Sequence, residues 1–155
     1  IGTAWANKIA TTTWKVGGGT YANLRDAVPK TAYQYEVGSS ASTTTYDAKI
    51  GLMYVSDYYY SASPSAWTLV GYNSDYTKSY ASAKGENWLY GGGWDWTISR
   101  LAGSSGGAFG VNSNGIVGSN GVRNGYNGVR PSFSLLSSTT YVSGSGSMSD
   151  PIVIN

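Results

Sequence analysis

The segment from Trp94 to Phe133 constrains the fold of this chain more than any other part of the sequence. It opens with an apolar stretch that ends in arginine, WDWTISR. It closes with a second apolar stretch that contains an arginine, GVRPSF. Between them lies a glycine and asparagine tract with almost no charge. Asn-Gly dipeptides favour the positive-φ turns that close two-residue hairpins, and the tract holds four of them, beginning at Asn114, Asn120, Asn124 and Asn127. The segment therefore predicts two strands that frame a set of turns.

Apolar residues inside the tract predict that these turns are ordered. They occur singly or in short pairs, at Phe109, Val111, Ile116, Val117, Val122 and Val129. A flexible linker normally lacks such residues, so anchored hairpins are preferred over a mobile loop. We expect Val111, Val117 and Val122 to point inward while the asparagine side chains face solvent.

Length and composition predict one domain over residues 1–155 and exclude several classes of protein. The chain has 155 residues, of which 41% are hydrophobic, and this is enough to bury a single core. No stretch approaches the roughly 18 consecutive apolar residues of a membrane span, so this segment is not expected to insert into a membrane. Its ten basic and eight acidic residues are scattered. Neither a nucleic-acid-binding stripe nor a polybasic patch can be assembled from them.

The polar composition is typical of an extracellular recognition surface. Serine, threonine, glycine, asparagine and fourteen tyrosines supply neutral hydrogen bonding and rigid contact area. The chain has no cysteine, which excludes disulfides and thiolate metal sites but is compatible with export from a cysteine-sparing bacterium. The pattern begins abruptly at Ile1, and we expect that a leader, anchor or stalk preceded it.

Local patterns predict an α+β fold with an N-terminal helix, a twisted antiparallel sheet and long Gly/Asn-rich loops. Within residues 1–13, a helix would place Ile1, Trp5 and Ile9 on one face. The glycines at 17–19 stop this helix, so the helical block covers at most residues 1–16. A second helix is predicted over residues 21–28. Strands are predicted at residues 49–56, 67–70, 87–90, 94–100, 108–112, 115–118, 128–136 and 152–154. Trp96 and Phe133 are expected to be buried in a central sheet.

The order of motifs KIGLMYVSDYYY, NWLY, WDWTISR, AFGVNSNG, GVRPSFSL and YVSGSGSMSDPIVI resembles a family of C-terminal domains in exported proteins of Gram-positive gut bacteria and their phages. That family is similar to the C-type-lectin-like fold of formylglycine-generating enzymes, in which a tryptophan and arginine strand and a closing Gly-aromatic-Arg strand bracket the ligand-facing region. Val129 stands here where the aromatic is usual. Some members resemble pilin subunits, with an N-terminal helix that polymerises.

The resemblance implies a display fold without the chemistry of its better-known relatives. Formylglycine-generating enzymes depend on cysteines, which this chain lacks, and no calcium-binding lectin loop is present beside Trp94-Asp95. Related folds carry hypervariable surfaces in retroelement-diversified proteins. The corresponding positions here are Asn112, Ser113, Asn114, Ser119, Asn120, Asn124, Tyr126 and Asn127.

The residues themselves favour binding over catalysis. Histidine is absent, which excludes Ser-His-Asp triads and histidine metal sites. Two of the eight carboxylates could in principle serve a glycosidase, and Asp57 with Glu86 or Asp95 is the pair to inspect. Asp95 is expected instead to accept hydrogen bonds from a turn or to pair with Arg100. Tyr58, Tyr59 and Tyr60 form a candidate aromatic platform, since such rings combine an apolar face with a polar atom. Trp88, Trp94 and Trp96 are expected in the core, and Arg123 is the arginine best placed to meet a ligand.

We therefore predict a non-enzymatic extracellular ligand-binding or adhesion domain of a bacterial surface protein, with no cofactor and no metal. Its partner would be a protein or glycan on a host or neighbouring cell, bound through the loops of residues 104–128. The predicted ligand-binding residues are Asn112, Asn114, Asn120, Arg123, Asn124, Tyr126, Asn127, Tyr58, Tyr59 and Tyr60. The alternatives are the head of a type IV pilin-like filament subunit, which self-associates, and a phage receptor-binding or retroelement-diversified protein.

Overall fold

The computed structural model describes residues 3–64, 85, 87–147 and 149–155. It confirms an α+β architecture of short helices and several small antiparallel sheets. The helices are α1 Thr3–Ala6, α2 Tyr21–Leu24, α3 Pro29–Glu36 and α4 Val55–Tyr60. The strands are β1 Thr12–Lys15, β2 Thr45–Ala48, β3 Gly51–Leu52, β4 Asp95–Arg100, β5 Gly107–Val111, β6 Val117–Gly121, β7 Pro131–Ser132, β8 Tyr141–Ser143 and β9 Val153–Ile154.

The largest described sheet has three antiparallel strands in the order β4-β5-β6. Strand β5 pairs with β6 in continuous register from Gly107↔Gly121 to Val111↔Val117. The other side of β4 is also hydrogen-bonded, because the Trp96 amide donates to the Gly128 carbonyl at 2.9 Å and the Ile98 amide donates to the Met53 carbonyl at 2.9 Å. Strand β4 is therefore enclosed on both sides, as expected for a central strand. Two-stranded pairs form between β1 and β2, β3 and β7, and β8 and β9.

The inward face of β4 is polar, contrary to the sequence-based prediction. Asp95, Thr97 and Ser99 are buried, whereas Trp96 and Ile98 are only half-buried on the opposite face. The inward hydroxyls are hydrogen-bonded: Thr97 Oγ1 donates to the Phe109 carbonyl at 2.9 Å, and Ser99 Oγ donates to Glu36 Oε1. The prediction of a buried Trp96 was wrong because satisfied polar groups occupy the interior side of this strand.

The predicted strand at 128–136 is also much shorter than expected. Only Pro131–Ser132 forms a strand, paired with β3, while Gly128 and Leu135 make isolated bridges. Proline has no amide to donate, which limits its pairing within a sheet. Phe133 is 38% exposed, so its predicted burial was wrong.

The hydrophobic core lies between the helices and the β5–β6 hairpin. Its members are the buried residues Leu24, Ala32, Met53, Val55, Tyr58, Tyr59, Ala62, Phe109, Val111 and Val117. The ring of Tyr21 meets Phe109 edge-on with a centroid distance of 5.7 Å, linking α2 to β5. The inward orientation predicted for Val111 and Val117 is confirmed. Val122 and Val129 are 56% and 63% exposed, so their expected role as anchors was wrong.

The N-terminal helix ends far earlier than predicted. Helix α1 covers only Thr3–Ala6, and Thr12–Lys15 forms β1, paired with β2 from Thr12↔Ala48 to Lys15↔Thr45. The run of threonines at 11–13 explains the change, because β-branched side chains favour extended backbone. Ile9 is buried and bridges to Leu135, which ties the N-terminal segment to the chain after β7.

Other boundaries differ as well. The second helix ends at Leu24, and helix α3 was not predicted. Within the expected strand at 49–56, only Gly51–Leu52 is extended, while Val55 begins α4. Residues 87–90 form a turn rather than a strand, and the strand expected at 115–118 starts two residues later, at Val117. The strand predicted at 67–70 lies outside the described residues. Among the described helices, none has the length and apolar character needed to cross a membrane.

Candidate functional site

Helix α4 directs its tyrosines to two different environments. Tyr58 and Tyr59 are fully buried, and their hydroxyls donate to main-chain carbonyls: Tyr58 to Gly115 at 2.8 Å, and Tyr59 to Leu24 at 2.8 Å. Burial raises the pKa of the Tyr58 hydroxyl. These two rings fix α4 to the rest of the fold and cannot reach a ligand, so both were wrong as predicted binding residues. Tyr60 is 46% exposed and remains a candidate.

Tyr60 lies in a cleft of about 380 Å³ beside α4. The cleft combines aromatic, apolar and polar side chains, contributed by Met53, Asp57, Tyr60, Ser61, Trp88, Leu89 and Ser132. Its volume falls at the lower end of the range for small-ligand pockets. Trp88 is 77% exposed, so the expectation that this residue belongs to the core was wrong. The cleft therefore presents two accessible aromatic side chains.

Asn87 holds Trp88 in position. The Asn87 side chain is buried, and its Nδ2 donates to the carbonyl of Tyr58 at 2.8 Å. Its Oδ1 accepts the Leu89 amide at 3.0 Å and also contacts the Ser61 hydroxyl. These bonds tie the main chain on both sides of Trp88 to the end of α4. The main chain that carries the exposed indole is therefore fixed by hydrogen bonds. This lowers the entropic cost of ordering the segment when a ligand binds.

Asp57 is the single charged residue among the described residues that line the cleft. It is the third residue of α4, and its Oδ2 accepts the amide of Tyr54 at 2.8 Å. This bond caps the helix and fixes the plane of the carboxylate. Partial burial of its carboxyl group raises the pKa of Asp57 above the ordinary value of 3.8, although the residue as a whole remains accessible to solvent.

Of the two carboxylate pairs considered for glycosidase chemistry, the pair of Asp57 and Asp95 is not assembled in the cleft. Asp95 accepts a hydrogen bond at 3.0 Å from Arg130 Nε and does not line the cleft. Glu86, the other partner considered for Asp57, lies outside the described residues. Asp95 instead joins β4 to the segment that precedes β7.

The asparagine side chains of the tract serve mainly as turn acceptors. Asn112 Oδ1 accepts the amides of Asn114 at 2.8 Å and Ile116 at 3.1 Å. Asn120 Oδ1 accepts the Gly121 amide and Asn124 Oδ1 accepts the Tyr126 amide, at 2.8 Å and 3.0 Å. Such side-chain bonds replace those of a backbone turn. Asn112, Asn120 and Asn124 are therefore half-buried structural elements as well as candidates for ligand contact.

The predicted two-residue hairpins are not formed. No described residue other than glycine has a positive φ, whereas type I′ turns require it at both central positions. Gly115, with φ +77°, completes a longer loop of residues 112–116 in which the Asn112 amide donates to the Ile116 carbonyl. The side-chain oxygens of Asn112, Asn120 and Asn124 accept backbone amides within these longer loops.

The remaining predicted residues of the tract differ in accessibility. Asn114 and Arg123 are exposed, and Tyr126 is 97% exposed. Asn127 is half-buried, and its Nδ2 is enclosed without a hydrogen-bond partner. None of these four lines the cleft beside α4. The structure therefore separates the predicted ligand-binding residues into a cleft group and a tract group.

A second, more apolar groove of about 300 Å³ lies between α1 and β9. It is lined by Ala4, Trp5, Lys8, Ile152, Val153 and Ile154, and the side chains of Trp5, Ile152 and Val153 are exposed. The sequence suggested a packing face at Trp5, but its position in a groove shared with the C-terminal strand was not predicted.

The described residues contain no cluster of three or more acidic side chains that could hold a metal ion. Comparison with protein-family models, with curated proteins and with solved structures finds no match to this chain. The function must therefore be argued from the geometry of the cleft, the tract and the groove.

Proposed function

We propose that this chain is a non-enzymatic, extracellular glycan-binding domain of a bacterial surface protein, and that the cleft beside α4 is its binding site. The observation that carries the proposal is Trp88, a 77% exposed indole whose main chain is fixed by the buried Asn87. Trp88 shares its cleft with the partly exposed ring of Tyr60, so the two rings form one accessible aromatic surface rather than an isolated exposed side chain. An accessible aromatic surface of this kind is one on which a pyranose ring stacks.

The other side chains of the cleft fit a sugar better than a purely apolar ligand. Tyr60 offers a second partly exposed ring, while Asp57, Ser61 and Ser132 offer oxygen atoms along the same cleft. A sugar needs both an apolar surface for its C–H face and polar partners for its hydroxyls. Ligand sites commonly show this combination of an apolar lining with a few placed polar groups.

We also propose that the architecture is C-type-lectin-like. Support comes from the junction between the two arginine-bearing segments: Asp95 bridges to Gly128, and Arg130 forms an ion pair with Asp95. These contacts bring together the two segments that bracket the ligand-facing region in the resembling folds. Export and surface localisation belong to the same proposal and are supported by the tyrosine-rich, cysteine-free composition.

The test is a glycan array followed by calorimetric titration of the sugars that bind. Trp88→Ala is expected to weaken binding at least tenfold, which corresponds to about 1.4 kcal/mol. Two exposed tyrosines outside the cleft provide controls: Tyr46 on β2 is 67% exposed, and Tyr126 in the tract is 97% exposed. Tyr46→Ala is expected to leave the affinity within about twofold.

The Tyr126→Ala control distinguishes the cleft beside α4 from the asparagine tract as the binding surface. If Tyr126→Ala abolishes binding while Trp88→Ala does not, the ligand binds the asparagine tract and the cleft proposal fails. If Trp88→Ala lowers the melting temperature so far that unfolding accounts for the lost binding, Trp88 is a structural residue. Absence of any glycan ligand for the folded chain would also reject the proposal.

The groove between α1 and β9 favours a second candidate, a filament subunit. It places Trp5, Ile152 and Val153 on one exposed apolar surface close to the N-terminal helix. Sedimentation velocity of the chain and of Trp5→Ser tests this candidate. Concentration-dependent association that the substitution removes would support the filament function, and a monomer at all concentrations would count against it.

A further inference from the structure

We propose that the cleft discriminates sugars by charge, that it favours amino sugars over neutral sugars and excludes acidic ones, and that Asp57 is the residue that determines this specificity. The inference rests on the proposed glycan-binding function and names the class of sugar bound. It follows from the position of one carboxylate, hydrogen-bonded at the start of α4, in a cleft whose other described lining residues are uncharged.

The geometry of Asp57 leaves one oxygen for a ligand. Oδ2 is engaged with the amide of Tyr54 at 2.8 Å, and this bond holds the carboxylate at the first turn of α4. Oδ1 makes no hydrogen bond to any described residue, and the residue is solvent-exposed. A carboxylate oxygen can accept more than one hydrogen bond. Asp57 therefore presents a fixed acceptor to a molecule that stacks on Trp88.

The charges around the cleft define which ligand this acceptor prefers. The described lining residues other than Asp57 are Met53, Tyr60, Ser61, Trp88, Leu89 and Ser132, and none of these six carries a formal charge. The described arginines with an ion pair are engaged elsewhere, Arg25 with Asp26 and Arg130 with Asp95. Among the lining residues that the structure describes, no cation offsets the charge of Asp57, so a carboxylated sugar meets like-charge repulsion there.

An ammonium group gains the most from the same arrangement. Hydrogen bonds between an ammonium and a carboxylate are roughly twice as strong as neutral ones. A neutral sugar hydroxyl can also donate to Oδ1, but without the charge. The expected order of affinity is therefore glucosamine, then glucose, then glucuronic acid, three probes of similar size that differ in charge.

The experiment compares these three sugars by calorimetric titration of the whole chain at about pH 7, where the amine and the acid differ in charge. For the unmodified chain, glucosamine is expected to bind at least tenfold more tightly than glucuronic acid. In Asp57→Asn the ratio should fall to within about threefold, because the charge is lost. Asparagine retains an oxygen that can accept the Tyr54 amide, so the helix cap survives.

Asp47→Asn is the matched control. Asp47 lies exposed on β2, where it accepts a hydrogen bond from Thr13 Oγ1 at 2.6 Å, and its substitution changes the net charge by the same amount. The control should keep the full preference for glucosamine. If Asp47→Asn reduces the preference as much as Asp57→Asn, the effect comes from net charge and the inference is overturned.

The possible failures are distinguishable. Equal binding of the three sugars to the unmodified chain, or an unchanged ratio in Asp57→Asn, would overturn the specificity inference while leaving glycan binding intact. If none of the three sugars binds, and no other glycan binds in the array, both the inference and the proposed function are overturned.

Discussion

Replacing Glu36 with glutamine should destabilise the fold by about 1 to 3 kcal/mol, because it leaves one buried amide without an acceptor. Glu36 is the last residue of α3 and is buried. Its Oε1 accepts the Val55 amide at 2.9 Å and its Oε2 accepts the Ser56 amide at 2.8 Å. The Ser99 hydroxyl on β4 donates to Oε1. One carboxyl group thus joins α3, α4 and β4.

The expected cost follows from counting donors. Glutamine retains one oxygen and presents an NH₂ group where the second oxygen stood, so either the Val55 or the Ser56 amide faces another donor. Unfolding in urea, followed by circular dichroism, measures the loss. Glu36→Ala removes both acceptors and should cost more than Glu36→Gln. Equal stability of the unmodified chain and Glu36→Gln would refute the assignment of Glu36 as the acceptor for α4.

The same comparison made at several pH values tests the charge state of Glu36. Burial raises the pKa of its carboxyl above the ordinary value of 4.5, despite the hydrogen bonds from Ser56, Ser99 and Val55 that lower it. A raised pKa in the folded state favours folding below the unfolded pKa, and this contribution is lost as the pH rises through the folded pKa. The cost of Glu36→Gln should therefore shrink as the pH rises. A cost that grows with pH would show that the ionised carboxylate is the better partner for α4.

Three further predictions concern the hairpin, the turns and metals. Gly110→Ala should lower the free energy of unfolding in urea by about 1 to 3 kcal/mol, because a Cβ there would lie 2.7 Å from the Asp95 carbonyl oxygen. Gly106→Ala is the control and should be nearly neutral, because no atom lies within 4 Å of a Cβ there. Asn112→Ala should cost about 1 to 3 kcal/mol through two unpaired turn amides, and the exposed Asn114 is the matched control. The melting temperature should not change in EDTA, and a large fall would disprove metal-independent folding.

The elements predicted correctly are those whose local pattern matches their final environment. The strand at 94–100 and the hairpin strand at 108–112 coincide closely with β4 and β5, and Val111 and Val117 point inward as expected. Helix α3 could not be recognised in this way. Its buried residues are Pro29, Ala32 and Glu36, which have helical spacing. None of them is a large apolar residue and one is charged, so the hydrophobic pattern does not mark the helix.

Helix α4 shows how tertiary contacts override local preference. Its sequence VSDYYY follows an apolar run and is rich in residues that favour strands. Its helical start is stabilised by Glu36, which accepts amides 19 and 20 residues further along the chain. Because that contact is non-local, the sequence pattern predicted a strand that continues to Ser56 and an accessible aromatic platform at Tyr58, Tyr59 and Tyr60. The consequence for the site is that only Tyr60 of the three tyrosines reaches the cleft.

Trp88 was assigned to the core for a related reason. Large aromatic residues in a short apolar run are usually buried, and NWLY resembles a strand. The buried side chain is instead that of Asn87, whose amide and carbonyl groups are both hydrogen-bonded. A buried asparagine that satisfies its neighbours turns the adjacent tryptophan outward. Trp88 was therefore the functional candidate that pattern analysis missed.

The asparagine tract has few side chains that are free of a structural role. An asparagine-rich sequence is compatible with both a display surface and a series of side-chain-closed turns, because the same amide group can meet a ligand or a backbone N–H. The structure uses the oxygens of Asn112, Asn120 and Asn124 for turns. Variation at such positions would alter the loop backbone together with the surface. A diversified display surface would therefore have to depend on the exposed residues Ser113, Asn114, Arg123 and Tyr126. Only one of these four side chains is aromatic, whereas the cleft combines the rings of Tyr60 and Trp88 with polar groups.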